Sequence, residues 1–190
     1  MRAWRIPFST NCERVSIAAG LAGVAVEWVD VDVLDRTVVE ELSGQRAVPV
    51  AELDGRIVAG SLAIVARIAP QLWPAEPRLR AEVDVFLEWF DRVWQHPLGV
   101  LWRDSDDARR ARAAERLAAS LDRFEALLDG EHLFGALTVA DVAAYPFLKY
   151  ATDENAADDY DIHEIMRGHL SVEGRPHLAA WLERMSTLSR

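Results

Sequence analysis

Three prolines fall within eight residues, Pro70, Pro74 and Pro77, in a chain of 190. Proline lacks an amide hydrogen and holds φ fixed, so such a stretch is neither helix interior nor inner strand. It predicts a linker at 70–77 between two domains, 1–73 and 78–190, each long enough to bury a core. Before the linker, short apolar runs alternate with two helical patterns. After it, every periodic segment has helical spacing.

In the first half, residues 2–8 read as a strand limited by Pro7. Residues 12–22 read as a helix with Val15, Ala18, Ala19 and Ala22 on one stripe and Gly23 at its end. Glu27 to Val33 alternates as a half-exposed strand. Residues 35–44 predict a short irregular helix. Val48 to Leu53, the Asp54-Gly55 turn and Arg56 to Ala59 read as a hairpin. Ser61 is placed to cap a helix over 62–69 that is apolar nearly all round and therefore expected to be buried.

In the second half, Leu79, Val83, Phe86, Leu87, Phe90, Val93 and Trp94 make one long stripe. Ala114 to Leu128 makes another, ended by Gly130. Thr138 and Asp141 have the spacing of a capping box, with Leu137 and Val142 as its hydrophobic staple, and predict a helix running toward Lys149. Pro146 inside that helix implies a kink. A polar, acidic stretch from Asp153 to Asp161 follows, then short helices near 161–169 and 177–186.

Charge and composition narrow the function. Twenty-one basic against thirty-one acidic residues give a net charge of −10. An acidic chain repels phosphate backbones. The one basic cluster, Arg109, Arg110 and Arg112, lies beside Asp104, Asp106 and Asp107 and reads as a solvated mixed-charge face, so no nucleic-acid partner is expected. No apolar run approaches the ~20 residues of a membrane helix. The single cysteine, Cys12, excludes an intramolecular disulfide and a cysteine-based zinc site. Asp159, Asp161, His163, Glu164 and His169 match no zinc spacing, so no metal is expected. With no secretory segment at the N-terminus, a cytoplasmic location is expected.

The order of these parts resembles the cytosolic glutathione S-transferase superfamily, over essentially the whole chain. The residues carrying the resemblance are Ser9-Thr10-Asn11-Cys12-Glu13-Arg14-Val15, Val48-Pro49, Gly60-Ser61-Leu62-Ala63-Ile64, Leu137 to Pro146, and Arg175 to Leu182. It implies an α/β thioredoxin-like N-terminal domain, a mixed four-stranded sheet with helices, and an all-α C-terminal domain. It also implies site roles. A Ser, Tyr or Cys after the first strand donates a hydrogen bond to the sulfur of the bound thiol, favouring the thiolate. Ser9 is the best-placed hydroxyl, with Thr10 its rival and Asn11 beside them; a plain helix cap is the other reading of Ser9.

Ser9-x-x-Cys12 resembles a glutaredoxin motif whose first thiol has become a hydroxyl, and Cys12 is either reactive or a small packed residue. Pro49 is expected in cis, turning Val48 toward the cysteinyl part of glutathione. Ser61 would hold the γ-glutamyl carboxylate at a helix N-terminus, or simply cap the helix. Gly60 stands where the family has an acid that contacts the γ-glutamyl ammonium. Gln45 and Arg46 are candidates for the glycyl carboxylate, or part of a solvated loop. Trp94, His96, Trp102 and Tyr150 are candidates for the second-substrate pocket.

The resemblance therefore implies an enzyme that conjugates glutathione, or another low-molecular-weight thiol, to a hydrophobic electrophile, and a homodimer. Two alternatives use the same fold: a non-catalytic module that binds a protein partner, and a thiol-disulfide or deglutathionylating reductase acting through Cys12.

Overall fold

The computed structural model describes residues 1–128, 130–152 and 160–188. It divides into two compact units, Met1–Trp73 and Pro74–Thr187. The first contains β1 (Arg2–Arg5), α1 (Thr10–Ala22), β2 (Glu27–Asp30), α2 (Thr37–Ser43), β3 (Val50–Leu53), β4 (Arg56–Ala59) and α3 (Ser61–Ile68). The four strands form one sheet in the order β2-β1-β3-β4. β1 runs parallel to β2 and antiparallel to β3, and β3 antiparallel to β4. This is the mixed thioredoxin-like sheet.

The strands are shorter than the patterns suggest, for identifiable reasons. β1 stops at Arg5 because Pro7 offers no donor and Phe8 takes φ 66. β2 stops at Asp30. Just beyond it, the Asp32 carboxylate accepts the Leu34 and Asp35 amides, at 2.7 and 3.4 Å, and turns the chain. β3 starts at Val50, after Pro49, which has no amide to place in the ladder.

α1 begins at Thr10, two residues earlier than expected, with Ser9 extended at its cap. It ends at Gly23, φ 65, whose N–H returns to the helix. Val15, Ala18 and Ala19 are buried as the stripe predicts. α3 packs on α1, but it is not buried all round. Ile64 and Val65 face inward, while Ala63, Ala66 and Arg67 are exposed, because alanine is small enough to tolerate solvent.

The proline cluster is also more ordered than expected. Pro70 opens a single 3-10 turn, Pro70–Leu72. Pro77 is the first residue of α4 (Pro77–Trp89), where its fixed φ suits a helix start. Glu76 caps that helix by accepting the Arg78 and Leu79 amides at 2.9 and 2.6 Å.

The second unit continues with a π-helical segment (Phe90–Trp94), α5 (His96–Arg103), α6 (Asp107–Leu127), α7 (Val139–Leu148), a 3-10 turn (Lys149–Ala151), α8 (Asp161–His169) and α9 (Pro176–Leu188). The long stripe over 79–94 is thus split between α4 and the π segment. α6 ends at Leu127, before the expected stop at Gly130. The polar stretch 153–159 lies outside the described residues. Among the described residues, no helix is long and apolar enough to cross a membrane.

α7 is buried along its whole length, and it runs through Pro146. Its start carries the predicted capping box. The Asp141 carboxylate, 0 % exposed, accepts the Thr138 amide at 2.9 Å, the Leu133 amide at 3.0 Å and the Trp181 indole N–H at 2.9 Å. One buried carboxylate therefore ties the α7 start, the segment before it and α9 together. Rings of Phe86, Phe90, Trp94, Phe124 and Phe147 meet edge-on or stacked in the core of this unit.

Candidate functional site

Of the residues singled out in the first unit, Asn11, Pro49, Gly60 and Ser61 are linked by contacts near the start of α1. Val48–Pro49 is a cis peptide, and the Pro49 carbonyl accepts the Gly60 amide at 3.1 Å. The next residue, Ser61, is buried, and its hydroxyl lies 3.4 Å from Asn11 Oδ1. Asn11 sits two positions after Ser9. A short chain of contacts thus links Pro49, Gly60, Ser61 and Asn11 to the start of α1.

Ser9 occupies the cap position of α1, but its side chain bonds no helix amide. A serine that only capped would accept from the second or third helical amide. Its hydroxyl lies beside the Cys12 thiol, whose ionised form it favours. Thr10, the rival hydroxyl, is buried within the first turn.

Ser61 departs from the expectation that it caps α3. Gly60 holds the cap position, with φ 93 and ψ 134, and Ser61 is the first helical residue. The Ser61 hydroxyl turns toward α1, where it meets Asn11 and the Arg14 guanidinium at 3.3 Å. Arg14 also donates to Asn11 Oδ1 at 3.0 Å and is only 1 % exposed. A buried guanidinium at this junction was not among the predicted site residues. Its sequence signal was faint: Arg14 directly precedes Val15 on the apolar stripe, and Asn11 and Arg14 have helical i, i+3 spacing.

Cys12 does not fit the reactive reading. It is 3 % exposed, and burial pushes its thiol from the ordinary 9.0 up to about 11. Hydrogen bonding to the Ser9 side chain and the Ile6 backbone, and the charge of Arg5, pull the other way but less strongly. A buried, protonated thiol is a poor nucleophile. Cys12 is a packed residue.

Arg46 is exposed and already paired with Glu40 of α2 at 2.8 Å. The Gln45 side chain reaches the Ala47 carbonyl at 3.5 Å. These contacts make the segment a self-bonded surface loop. Nor do the four second-substrate candidates converge. Trp94 and Tyr150 are core residues, at 2 and 3 % exposure. Trp94 donates to Ser120 Oγ at 2.8 Å, and Tyr150 stacks on His163 at 4.5 Å. His96 lines a separate open hollow with Gly99, Val100 and Arg103. Trp102 is 46 % exposed, under the Arg103 guanidinium. Helical spacing sends aromatic residues of one stripe into a core more readily than into one pocket. Among the described residues, no group of three His, Cys, Asp or Glu is placed to hold a metal ion; Asp159 lies outside them.

Comparison with known proteins agrees with this architecture. Residues 4–71 match the family model for the glutathione S-transferase N-terminal domain, and residues 107–184 that for its C-terminal domain. Glutathione S-transferase L1 of Arabidopsis thaliana is 25% identical over 196 residues, covering 97% of this chain and 78% of that protein. A Tau class glutathione S-transferase from mango superposes with TM-score 0.80 at 18% identity, over 96% of this chain and 86% of its own. A glutathione transferase from Methylococcus capsulatus gives TM-score 0.78 at 21% identity, over 98% and 92%. The chain belongs to the cytosolic glutathione S-transferase superfamily.

Proposed function

We propose that the protein is a glutathione S-transferase that joins a small thiol, glutathione first among the candidates, to a hydrophobic electrophile. The observation that carries this reading is Ser9: a hydroxyl at the α1 start whose side chain caps nothing. The thiol lies along the edge formed by Val48, the cis Pro49 and Ser61, with its sulfur at the Ser9 hydroxyl. Backbone amides of Thr10 and Asn11 at the α1 start add a positive dipole end, and the Ser9 hydroxyl, turned away from the Cys12 thiol, donates to the sulfur. Both favour the thiolate. The thiol proton leaves to solvent. The sulfur lone pair then attacks the electrophilic carbon, a C–S bond forms, and the leaving group departs with its bonding pair.

The γ-glutamyl carboxylate is held at the α3 start, by the Ser61 hydroxyl and the unsatisfied amides beside it. Arg14 acts as a positioning residue, fixing the rotamers of Ser61 and Asn11 from beneath. The buried state of Cys12 speaks against the reductase alternative.

Retention on immobilised glutathione, together with turnover of 1-chloro-2,4-dinitrobenzene, tests the reading. Ser9→Ala should lower kcat/KM by about a hundredfold, the scale of losing one hydrogen bond made to a developing anion. Cys12→Ala should retain activity. Full activity in Ser9→Ala would overturn the assignment, and absence of thiol binding at millimolar concentrations would leave the fold as a binding module.

A further inference from the structure

Asn11 stands in the first turn of α1, half-buried, where α1 packs on α3. Its side-chain oxygen takes two donors, the Arg14 guanidinium at 3.0 Å and the Ser61 hydroxyl at 3.4 Å. Two donors on one atom fix which end of the amide is oxygen, because an NH2 group there would meet donors with donors. The Nδ2 end therefore turns the other way. It makes no hydrogen bond among the described residues and is not among the buried atoms that lack one, so it faces the open side of the junction. Asn11 thus holds out two N–H donors in an orientation set from beneath by Arg14 and Ser61.

The α3 start beside it has the same polarity. Gly60 has no side chain with which to cap that helix, so the first amides stay open. No acidic residue stands between Asp54 and Glu76. Glu13, the one acid of α1, lies two positions from Asn11 and so leaves the helix on a different face. The junction therefore offers donors to an anion, while α1 and α3 bring no carboxylate to it for a cation. A carboxylate entering here exchanges water for charge-assisted hydrogen bonds. An ammonium on the neighbouring carbon loses water without gaining a partner, beside a positive helix end and the Arg14 guanidinium.

On the thiol reading given above, we propose that this junction recognises its thiol by a terminal carboxylate that needs no ammonium beside it, with Asn11 Nδ2 as the deciding donor. The substrate class then extends to carboxylate-ended thiols without an α-amine. Three thiols test this on the full chain, by calorimetric titration and by turnover of 1-chloro-2,4-dinitrobenzene. They are glutathione, glutaryl-cysteinylglycine, which lacks only the α-amine, and butyryl-cysteinylglycine, which lacks the carboxylate as well. The glutaryl thiol is expected to bind at least as tightly as glutathione. The butyryl thiol should bind about tenfold more weakly than the glutaryl thiol, the scale of a hydrogen bond to a charged group.

Asn11→Asp keeps both inward contacts, since a carboxylate oxygen accepts from Arg14 and Ser61 as the amide oxygen does. It turns the open donor into an acceptor. The glutaryl thiol should then bind about tenfold more weakly, with glutathione affected far less, so that the preference inverts. A merely structural role would weaken both thiols alike, which makes their ratio the readout. Glutathione binding tenfold more tightly than the glutaryl thiol to the parent protein overturns the proposal and leaves the thiol site near Ser9 standing. Equal affinity for the glutaryl and butyryl thiols, or a parallel loss of both acidic thiols in Asn11→Asp, overturns it too. Binding of none of the three thiols at millimolar concentrations removes the thiol site itself, and the proposal with it.

Discussion

At the start of α7, Thr138 accepts the Ala140 amide at 3.2 Å while Asp141 reaches back to the Thr138 amide, so side chains of the same turn answer the exposed donors. At the start of α1, Ser9 holds the same cap position and bonds no helix amide; at the start of α3 the cap is a glycine with no side chain. All three starts face the same deficit of acceptors. Only the first meets it from within the turn. A helix start sealed by its own side chains builds structure, and one left open on that side keeps its amides available to an incoming anion. The helical unit keeps its strongest polar cluster inside the core, around Asp141. The sheet unit keeps its own where α1 meets α3, around Arg14, Asn11 and Ser61.

This contrast predicts a graded series of stability effects. Asp141→Ala should be the most damaging, because it strands buried donors at Leu133, Thr138 and Trp181. A loss of roughly 4 kcal/mol in urea denaturation is expected, with Asp141→Asn milder. An effect below 1 kcal/mol would show that Asp141 does not hold the unit together.

Alkaline pH should come next, and should act on the sheet unit. Burial raises the Cys12 pKa to about 11, so between pH 9 and 11 the unfolded chain loses the thiol proton while the folded chain keeps it. Stability is full below that window and falls as pH rises through it, by about 2 to 3 kcal/mol. Comparing the pH dependence of the melting temperature with that of Cys12→Ala isolates the effect; parallel curves would refute it.

Thr138→Ala should cost about 1 to 2 kcal/mol, the usual worth of a side-chain cap. Ser9→Ala should change stability least, within about 0.5 kcal/mol, while abolishing most turnover. A loss from Ser9→Ala as large as that from Thr138→Ala would erase the distinction between the sealed and the open helix starts.

Much of the architecture was legible because it rests on local chemistry. Gly23 as a left-handed stop, Asp54-Gly55 as a hairpin turn and Thr138 with Asp141 as a capping box are set by residues within a few positions of one another. The resemblance also implied the cis bond at Pro49; the role it implies for Ser9 rests on the turnover measurement. Arg14 was not legible as a site residue. An arginine on a short amphipathic helix ordinarily faces water, and only the packing of α3 against α1 buries it. The spread of Trp94, His96, Trp102 and Tyr150 was hidden for a related reason: stripe membership says that a ring turns inward, not which neighbours it meets. The π segment was not legible, since a proline such as Pro146 is also absorbed within a regular helix.

Gly60 carries a consequence for any attempt to engineer glutathione binding at the α3 start. A side chain at that position would have room, since nothing lies within 4 Å of an added Cβ. The obstacle is the torsion itself: φ 93 with ψ 134 is comfortable for glycine alone, and forcing another residue into it costs about 1 to 3 kcal/mol. Grafting the missing acid by one substitution would therefore unsettle the turn that presents Ser61. The route to stronger recognition runs through rebuilding the corner between β4 and α3 as a unit, and a designer who copies only the charge should recover less affinity than its chemistry promises.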